Sequence, residues 1–361
     1  MTVAASFEIP YLQCLDAHGQ PVGALPAWAQ DTAALVPLYR WMQRMRAYDA
    51  KAIALQRTGQ LGTYASLLGK EAVEAGIGAA MRPEDVFLCT YRENGAQLMR
   101  GVSMRELFLY WGGDERGNRF ERPIHDFPIC VTIASQCLHA AGVAYALKFK
   151  REPRVAVCTL GDGASSKGDF YEALNAAGAW QLPLVIVLTN NQWAISVPRN
   201  AQSATQTLAQ KGIAGGVPGL QVDGNDVIAV RQAIGEAIET ARAGSGPTLI
   251  EAMTYRLSDH TTADDASRYR PAEELAEAWQ REPIARLRGY LVAQGAWDKA
   301  QEDALLKAVN EEVQAAAQAY LDTPPPPVSQ MFDHHYATLP AALAAQREEW
   351  LAGADGTDHP R

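Results

Sequence analysis

The chain has no paired cysteines at metal-binding or redox spacing. Its five cysteines, Cys14, Cys89, Cys130, Cys137 and Cys158, are an odd set without a CxxC. That argues against zinc and against a disulfide framework, and for reduced, mostly buried thiols in a reducing compartment. Long hydrophobic runs are also missing: no stretch approaches the roughly 18 apolar residues of a membrane span. The opening MTVAASFEIPYLQ has no basic region followed by an apolar run, so no secretory signal is expected. Positive charge is not in excess. A net charge of −9 gives no global attraction to nucleic acid or an anionic membrane. Internal repeats are absent. What remains is a chain of 361 residues, 48% of them hydrophobic, enough for a large core and expected to be cytoplasmic.

The pattern along the chain divides it into four parts. Residues 1–30 are punctuated by proline and glycine and read as an extended arm. From Asp31 the apolar spacing becomes helical, with Leu35, Leu38, Met42, Met45 and Ala52 at steps of three and four. The spacing predicts further helices over 70–80, 135–150 and 227–243, and one ending at 107–111. Short apolar runs over 86–89, 155–160, 184–189 and 248–253 predict strands. Segment 221–226 reads as a strand running into a turn, and 112–128 as a polar loop. Continuous apolar strands bounded by turn residues are typical of buried parallel strands. Alternation with helices predicts an α/β fold, a mostly parallel central sheet with helices on both faces, over 31–270. Charged helices over 271–325 are expected to pack on the same domain. Beyond the Pro324–Pro327 stop, 326–361 reads as a tail with a short helix near 340–350.

One segment carries specific chemistry, LGDGASSKGDFYEALNAAGAWQLPLVIVLTNNQWAIS. A strand feeds a glycine turn and a helix, then a second strand ends in Asn190-Asn191. Asp162 at the end of one strand, Asn191 at the end of the next and a backbone carbonyl near Trp193 form an oxygen set suited to Mg²⁺. That cation takes hard ligands octahedrally and completes its shell with water and phosphate. Gly161 and Gly163 allow close backbone approach to a diphosphate, and the next helix offers its positive end. The plainer reading is an ordinary βαβ crossover with a polar turn. The turn lacks the Lys-Ser/Thr of a P-loop and the third glycine of a dinucleotide fingerprint.

Other residues are ambiguous by themselves. Tyr91-Arg92 follows a strand; arginine can fork two hydrogen bonds onto phosphate, or the pair can serve a surface salt bridge. His260, in a polar loop after the 248–253 strand, reads as a solvated histidine, a phosphate contact or a proton shuttle. His125 has a weaker case, His334-His335 reads as a surface pair, and Lys167 as exposed at a helix start.

Several segments together resemble one family: TYRENGAQLMRG, WGGDERGNRF, GDGASSKGDFYEALNAAG, NNQWAISVP, VPGLQVDGND, GPTLIEAMTYR and HTTADDASRYR. From about Leu38 to Leu321 the chain is similar to alpha subunits of the decarboxylating component of heterotetrameric 2-oxo acid dehydrogenase complexes. The resemblance implies thiamin diphosphate and Mg as cofactors. Asp162 and Asn191 would ligate the metal, with the Trp193 carbonyl beside them. Tyr91, Arg92 and His260 would contact the diphosphate, His260 also as the catalytic candidate. Gly163 and Ala164 would contact it through their backbone, and Ile133 would pack under the rings. Two departures stand out: Thr189 where some relatives have arginine, and Ala65 where others have histidine. Thr261 falls where some relatives are phosphorylated.

The resemblance further implies oxidative decarboxylation of a 2-oxo acid and acyl transfer to the lipoyl group of a partner acyltransferase. It places the glutamate that activates the cofactor on a separate beta subunit, hence an α2β2 assembly and a chain inert alone. Glu93 belongs by this match to the phosphate end. A short VTIASQ region and WGGDERGN favour pyruvate; LIEAMTYR and MFDHHYATLPAAL echo the branched-chain subunits that take 2-oxoisovalerate. Acetoin cleavage is the alternative chemistry on the same plan. A non-catalytic phosphate-binding scaffold would be expected to lose Asp162 or Asn191.

Overall fold

In the computed structural model, which describes residues 2–333 and 335–354, six strands form one wholly parallel sheet. They are β1 (Tyr11–Leu12), β2 (Val86–Leu88), β3 (Ala156–Gly161), β4 (Leu184–Asn190), β7 (Gly219–Asp223) and β8 (Thr248–Met253). Their order is β1-β7-β8-β4-β3-β2. A small antiparallel hairpin, β5 (Trp193–Ala194) with β6 (Val197–Pro198), follows β4.

Strand periodicity of two explains the layers. On β4, Leu184, Ile186 and Leu188 face one core cluster while Val185 and Val187 face the other. Because both faces are covered, every residue of β4 is buried, as its unbroken apolar run requires. The first face carries α5 (Ser135–Lys150) and α6 (Gly168–Ala179). The second carries α1 (Val36–Arg57), α2 (Glu71–Ala80) and α8 (Val227–Arg242). Smaller helices α3 (Asn94–Arg100), α4 (Met104–Trp111) and α7 (Arg199–Gln202) fill the connections.

From β2 through β4 each crossover moves one way across the sheet; from β7 to β8 it moves back. The chain keeps that direction from β4 to β7 and reverses only there, so β8 fills the place between them; open α/β sheets bind ligands beyond the carboxyl ends of their strands. The helices α9 (Ala272–Trp279), α10 (Pro283–Ala293) and α11 (Lys299–Leu321) follow β8. Leu305, Val309, Val313 and Ala317 give α11 a buried stripe at i, i+4 spacing, which packs on α1 and α4. The tail adds α12 (Gln330–Asp333) and α13 (Ala341–Ala354). No helix among the described residues is long and apolar enough to cross a membrane.

Three features depart from the pattern expected. The arm contributes a sheet edge: β1 pairs in parallel with β7, Tyr11 opposite Gln221. Two residues are too few for periodicity to show, and their pairing depends on a partner some 200 positions away. Second, the helix expected directly after the glycine turn begins only at Gly168, after a 3₁₀ turn over Gly163–Ser166. Asp162 uses its side chain to cap that tighter turn, accepting from Gly163 N. Third, the 112–128 loop holds a 3₁₀ turn over Glu115–Asn118 capped by Asp114.

Candidate functional site

The carboxyl ends of β3 and β4, the segment after β2 and the loop after β8 enclose a cavity of about 620 Å³. Asp162 lies on its wall because β3 and β4 are paired in register, Gly161 opposite Thr189. The Asp162 amide donates to Thr189 O at 3.1 Å. Its carboxylate is only partly satisfied. Oδ1 accepts from Gly163 N at 2.9 Å, while Oδ2 is buried with no partner among the described residues. Burial pushes this carboxyl up to about 6, against the pull of the Gly163 amide and of Arg256 and Arg199. An unpartnered buried carboxylate oxygen costs free energy unless something supplies positive charge.

Backbone shape serves the same opening. A Cβ added at Gly161 would meet no protein atom within 4 Å, whereas one at Gly163 would lie 2.9 Å from Ala194 Cβ. Gly161 thus leaves open space on the cavity wall, and Gly163 lets the turn close on the hairpin. Three non-glycine residues around these loops are left-handed: Ala134 (φ 67°), Gln192 (φ 72°) and Ile195 (φ 56°). Each such conformation costs roughly 1–3 kcal/mol and persists where surrounding structure enforces it, commonly at functional loops.

Asn191 is half-buried, and its Oδ1 accepts from Trp193 N at 3.2 Å. The Trp193 ring is buried, and its indole donates to Tyr255 Oη at 3.1 Å. The Trp193 carbonyl accepts a long 3.4 Å contact from Arg256, whose other arm donates to Ile195 O at 2.9 Å.

Arg92 and His260, 168 residues apart, meet directly. The Arg92 guanidinium donates to Ser66 O, to His260 O at 2.8 Å and towards His260 Nδ1 at 3.3 Å. Burial, then Arg92 and Arg256, push the imidazole down to about 4. The ring is therefore neutral at physiological pH, and Nδ1 acts as acceptor towards the guanidinium, leaving the proton on Nε2. Tyr91 stands edge-on to it, ring centroids 6.3 Å apart. The loop is tied down by Asp264, which accepts from His260 N at 2.9 Å and from Tyr269 Oη.

Tyr91, Arg92, Ile133, Asp162, Gly163, Ala164, Asn191, Trp193 and His260 all line this one cavity. Ile133 is 42% exposed, an apolar surface at the start of α5. Ala65 is a buried lining residue, and so is Thr189, whose hydroxyl has no partner among the described residues. Thr261 lies beside His260 on the same wall. His125, Lys167 and His335 are exposed and outside it; His334 lies outside the described residues. All cysteines among the described residues are free.

Sequence reasoning named Glu93 but missed its partner Lys70 and other lining residues. Lys70 and Glu93 form a buried ion pair at the cavity edge, and Lys70 reaches Glu74 at 3.1 Å. Burial would raise the Glu93 carboxyl, but Lys70 and Thr90 hold it below the ordinary range; burial takes Glu74 up to about 7. Glu93 is thus occupied by protein partners. Gln136 and Gln202 also line the cavity, each with a buried amide oxygen lacking a partner among the described residues. The charge pattern of GKEA and the YRENG turn hinted at the first group; nothing local marks the glutamines. A second cavity, about 770 Å³, is lined by Gln192 and shares Trp193 with the first. Its charged residues include the ion pair Arg286–Asp223 at 2.6 Å, and it includes neither Asp162 nor Asn191.

Against known proteins, the family described as Dehydrogenase E1 component matches residues 39–329. The chain is similar to the pyruvate dehydrogenase E1 component subunit alpha of Mycoplasma pneumoniae, 40% identical over 308 residues, 85% of this chain and 86% of the relative. The subunit of the same name from Acholeplasma laidlawii is 41% identical over 320 residues, 87% and 92% of the two chains. That of Staphylococcus aureus strain Mu50 is 40% identical over 345 residues, 95% and 93%.

Proposed function

This chain belongs to the dehydrogenase E1 component family, and from that premise we propose that it is the alpha subunit of a thiamin diphosphate-dependent pyruvate dehydrogenase. Its work is oxidative decarboxylation of pyruvate and acyl transfer to a lipoyl group on a partner acyltransferase, in an α2β2 assembly with a beta subunit. The observation that carries the reading is the buried, unpartnered Oδ2 of Asp162, a residue that lines the same cavity as Asn191.

The donor set fits a divalent cation bound to a diphosphate. Asp162, Asn191 and the Trp193 carbonyl would hold Mg, three hard oxygens of the kind it prefers. The Gly163 and Ala164 backbone, Tyr91 and Arg92 would meet the phosphates; Thr189, where some relatives have arginine, removes that contact but leaves an unpartnered hydroxyl on the same wall. Ile133 would support the rings. Thiamin diphosphate, when bound, supplies the electron sink for loss of CO₂. The chain's part is to bind, orient and exclude water. His260, neutral and with its proton on Nε2, can donate a hydrogen bond at the cavity without adding charge. Arg92 holds it there through its carbonyl and Nδ1.

Relatives named for pyruvate favour that acid over 2-oxoisovalerate or acetoin. The test is co-expression with the beta subunit, with CO₂ release followed after adding thiamin diphosphate and Mg²⁺. Turnover of pyruvate needing both chains and both cofactors is expected. A clear preference for 2-oxoisovalerate or acetoin would overturn the substrate, and turnover without cofactor would overturn the reading.

A further inference from the structure

We infer that Thr262 is a positioning residue for His260: its hydroxyl, by accepting from the Tyr64 amide, holds the imidazole beside Arg92 at the cavity wall. The inference rests on the reading of His260 above.

The loop after β8 needs an anchor outside itself, because much of its hydrogen bonding is internal. Asp264 accepts from His260 N, Asp259 Oδ1 accepts from Ala266 N at 2.9 Å, and Arg270 donates to Ser258 O at 2.8 Å. Such bonds fix the shape of a loop but not its place against the rest of the fold. Among the described residues, hydrogen bonds from 258–266 leave the segment 254–270 at two places. One is the contact of Arg92 with His260. The other is a reciprocal pair: Thr262 N donates to Tyr64 O at 2.8 Å, and Tyr64 N donates to Thr262 Oγ1 at 3.0 Å.

Tyr64 is a firm post for that pair. It is fully buried, its ring edge-on to Trp111 with centroids 4.9 Å apart, and its hydroxyl donates to Asp49 at 2.7 Å. The same carboxylate accepts from Ser66 Oγ at 2.6 Å and Leu67 N at 2.8 Å, so three donors fasten 64–67 to α1. Ser66 O in turn accepts from Arg92. Both partners in the Arg92–His260 contact are thus hung from one short segment, Arg92 from Ser66 and the histidine's loop from Tyr64. The backbone half of the Tyr64–Thr262 pair is open to any residue with an N–H. The other half needs a side-chain acceptor two positions after His260, and Thr262 supplies it. Without that hydroxyl the Tyr64 amide of the docked loop loses its partner, and a buried donor left unpaired disfavours the docked state. Thr261 does not substitute: its Oγ1 accepts from Ala263 N at 3.3 Å, within the loop.

The experiment uses the enzyme assembled with its beta subunit and compares Thr262→Val, which keeps the shape and loses the acceptor, with Thr262→Ser, which keeps the hydroxyl. Amide exchange over 257–266 is read by mass spectrometry before cofactor is added, and kcat/KM for pyruvate after adding thiamin diphosphate and Mg²⁺. Thr262→Val is expected to speed the exchange and to lower kcat/KM, each by roughly tenfold. Thr262→Ser is expected to restore both. In a His260→Ala background, Thr262→Val should cost no further activity, since a residue acting through His260 has nothing left to position. Should Thr262→Val fail to assemble, Thr262→Ala carries the same comparison. Unchanged exchange or kcat/KM in the assembled Val or Ala variant would overturn the role, as would an equal loss in Thr262→Ser or a loss that adds to that of His260→Ala. If His260→Ala alone left turnover and thiamin diphosphate affinity unchanged, the reading of His260 would fall, a result distinct from these.

Discussion

Two buried aspartates, each just beyond a parallel strand, have opposite fates. Asp226, after β7, has both carboxylate oxygens occupied. Oδ2 accepts from the amides of Cys14 and Leu15 at 2.6 and 2.7 Å, and Oδ1 from those of Ile228 and Ala229 at 3.0 and 3.2 Å. It caps α8 and pins the N-terminal arm in one stroke. Asp162, after β3, is just as buried but has one oxygen bonded and the other orphaned. Burial raises both carboxyls. The difference is in satisfaction. A buried charge surrounded by backbone donors holds the fold, and one left incomplete at a cavity is poised for a ligand.

Exchanging charge for a neutral isostere at the two positions sharpens the contrast. Asp162→Asn is expected to lower pyruvate turnover in the assembled enzyme by roughly a thousandfold, about 4 kcal/mol. Its urea midpoint without ligand should be equal to or above the wild type's, since an incompletely paired buried charge is removed. A lower midpoint with intact turnover would reverse the comparison. Asp226→Ala should cost about 3 kcal/mol of stability in urea unfolding, because charge-assisted bonds are lost and amides of the arm are left unpaired. Residues 1–30 should then become sensitive to limited proteolysis, while cofactor affinity is kept where the fold holds. Proteolysis unchanged from wild type would show that β1 pairing alone retains the arm.

The smallest effect concerns His260. Its folded value of about 4 lies below the ordinary 6.5, so between these the unfolded chain binds more protons. Stability is therefore full above about pH 6.5 and lost as pH falls towards 4. Because His260 is only half-buried, screening reduces the loss to about 1 kcal/mol. Urea melts at pH 7 and 4.5 should show it, and His260→Gln should flatten the difference. An identical pH dependence in that variant would move the effect to another group.

The legible part of the site was the part encoded locally. Asp162 and Asn191 stand at the ends of consecutive strands joined by one helix, so spacing alone brings their ends together once the strands pair in parallel. Tyr91, Arg92 and His260 were readable only through resemblance, since nothing in either segment says that Arg92 will reach the His260 carbonyl. The charges of Lys70 and Glu93 were visible but not their pairing, and the orphaned hydroxyl of Thr189 and amide oxygens of Gln136 and Gln202 had no local signature. For the fold, the apolar runs of β3, β4 and β8 were plain because parallel strands covered on both faces must be apolar throughout. The two-residue β1 was not, because an edge strand that short is defined by its partner.

Strand–turn–helix alternation, the family and the two oxygen-bearing side chains at adjacent strand ends could be read from the chain alone, for these depend on periodicity and short-range spacing. Tertiary structure alone decided which buried polar groups found partners and which did not. Satisfaction depends on donors arriving from segments as distant as Cys14 and Asp226, 212 residues apart, and no pattern within either segment carries that information.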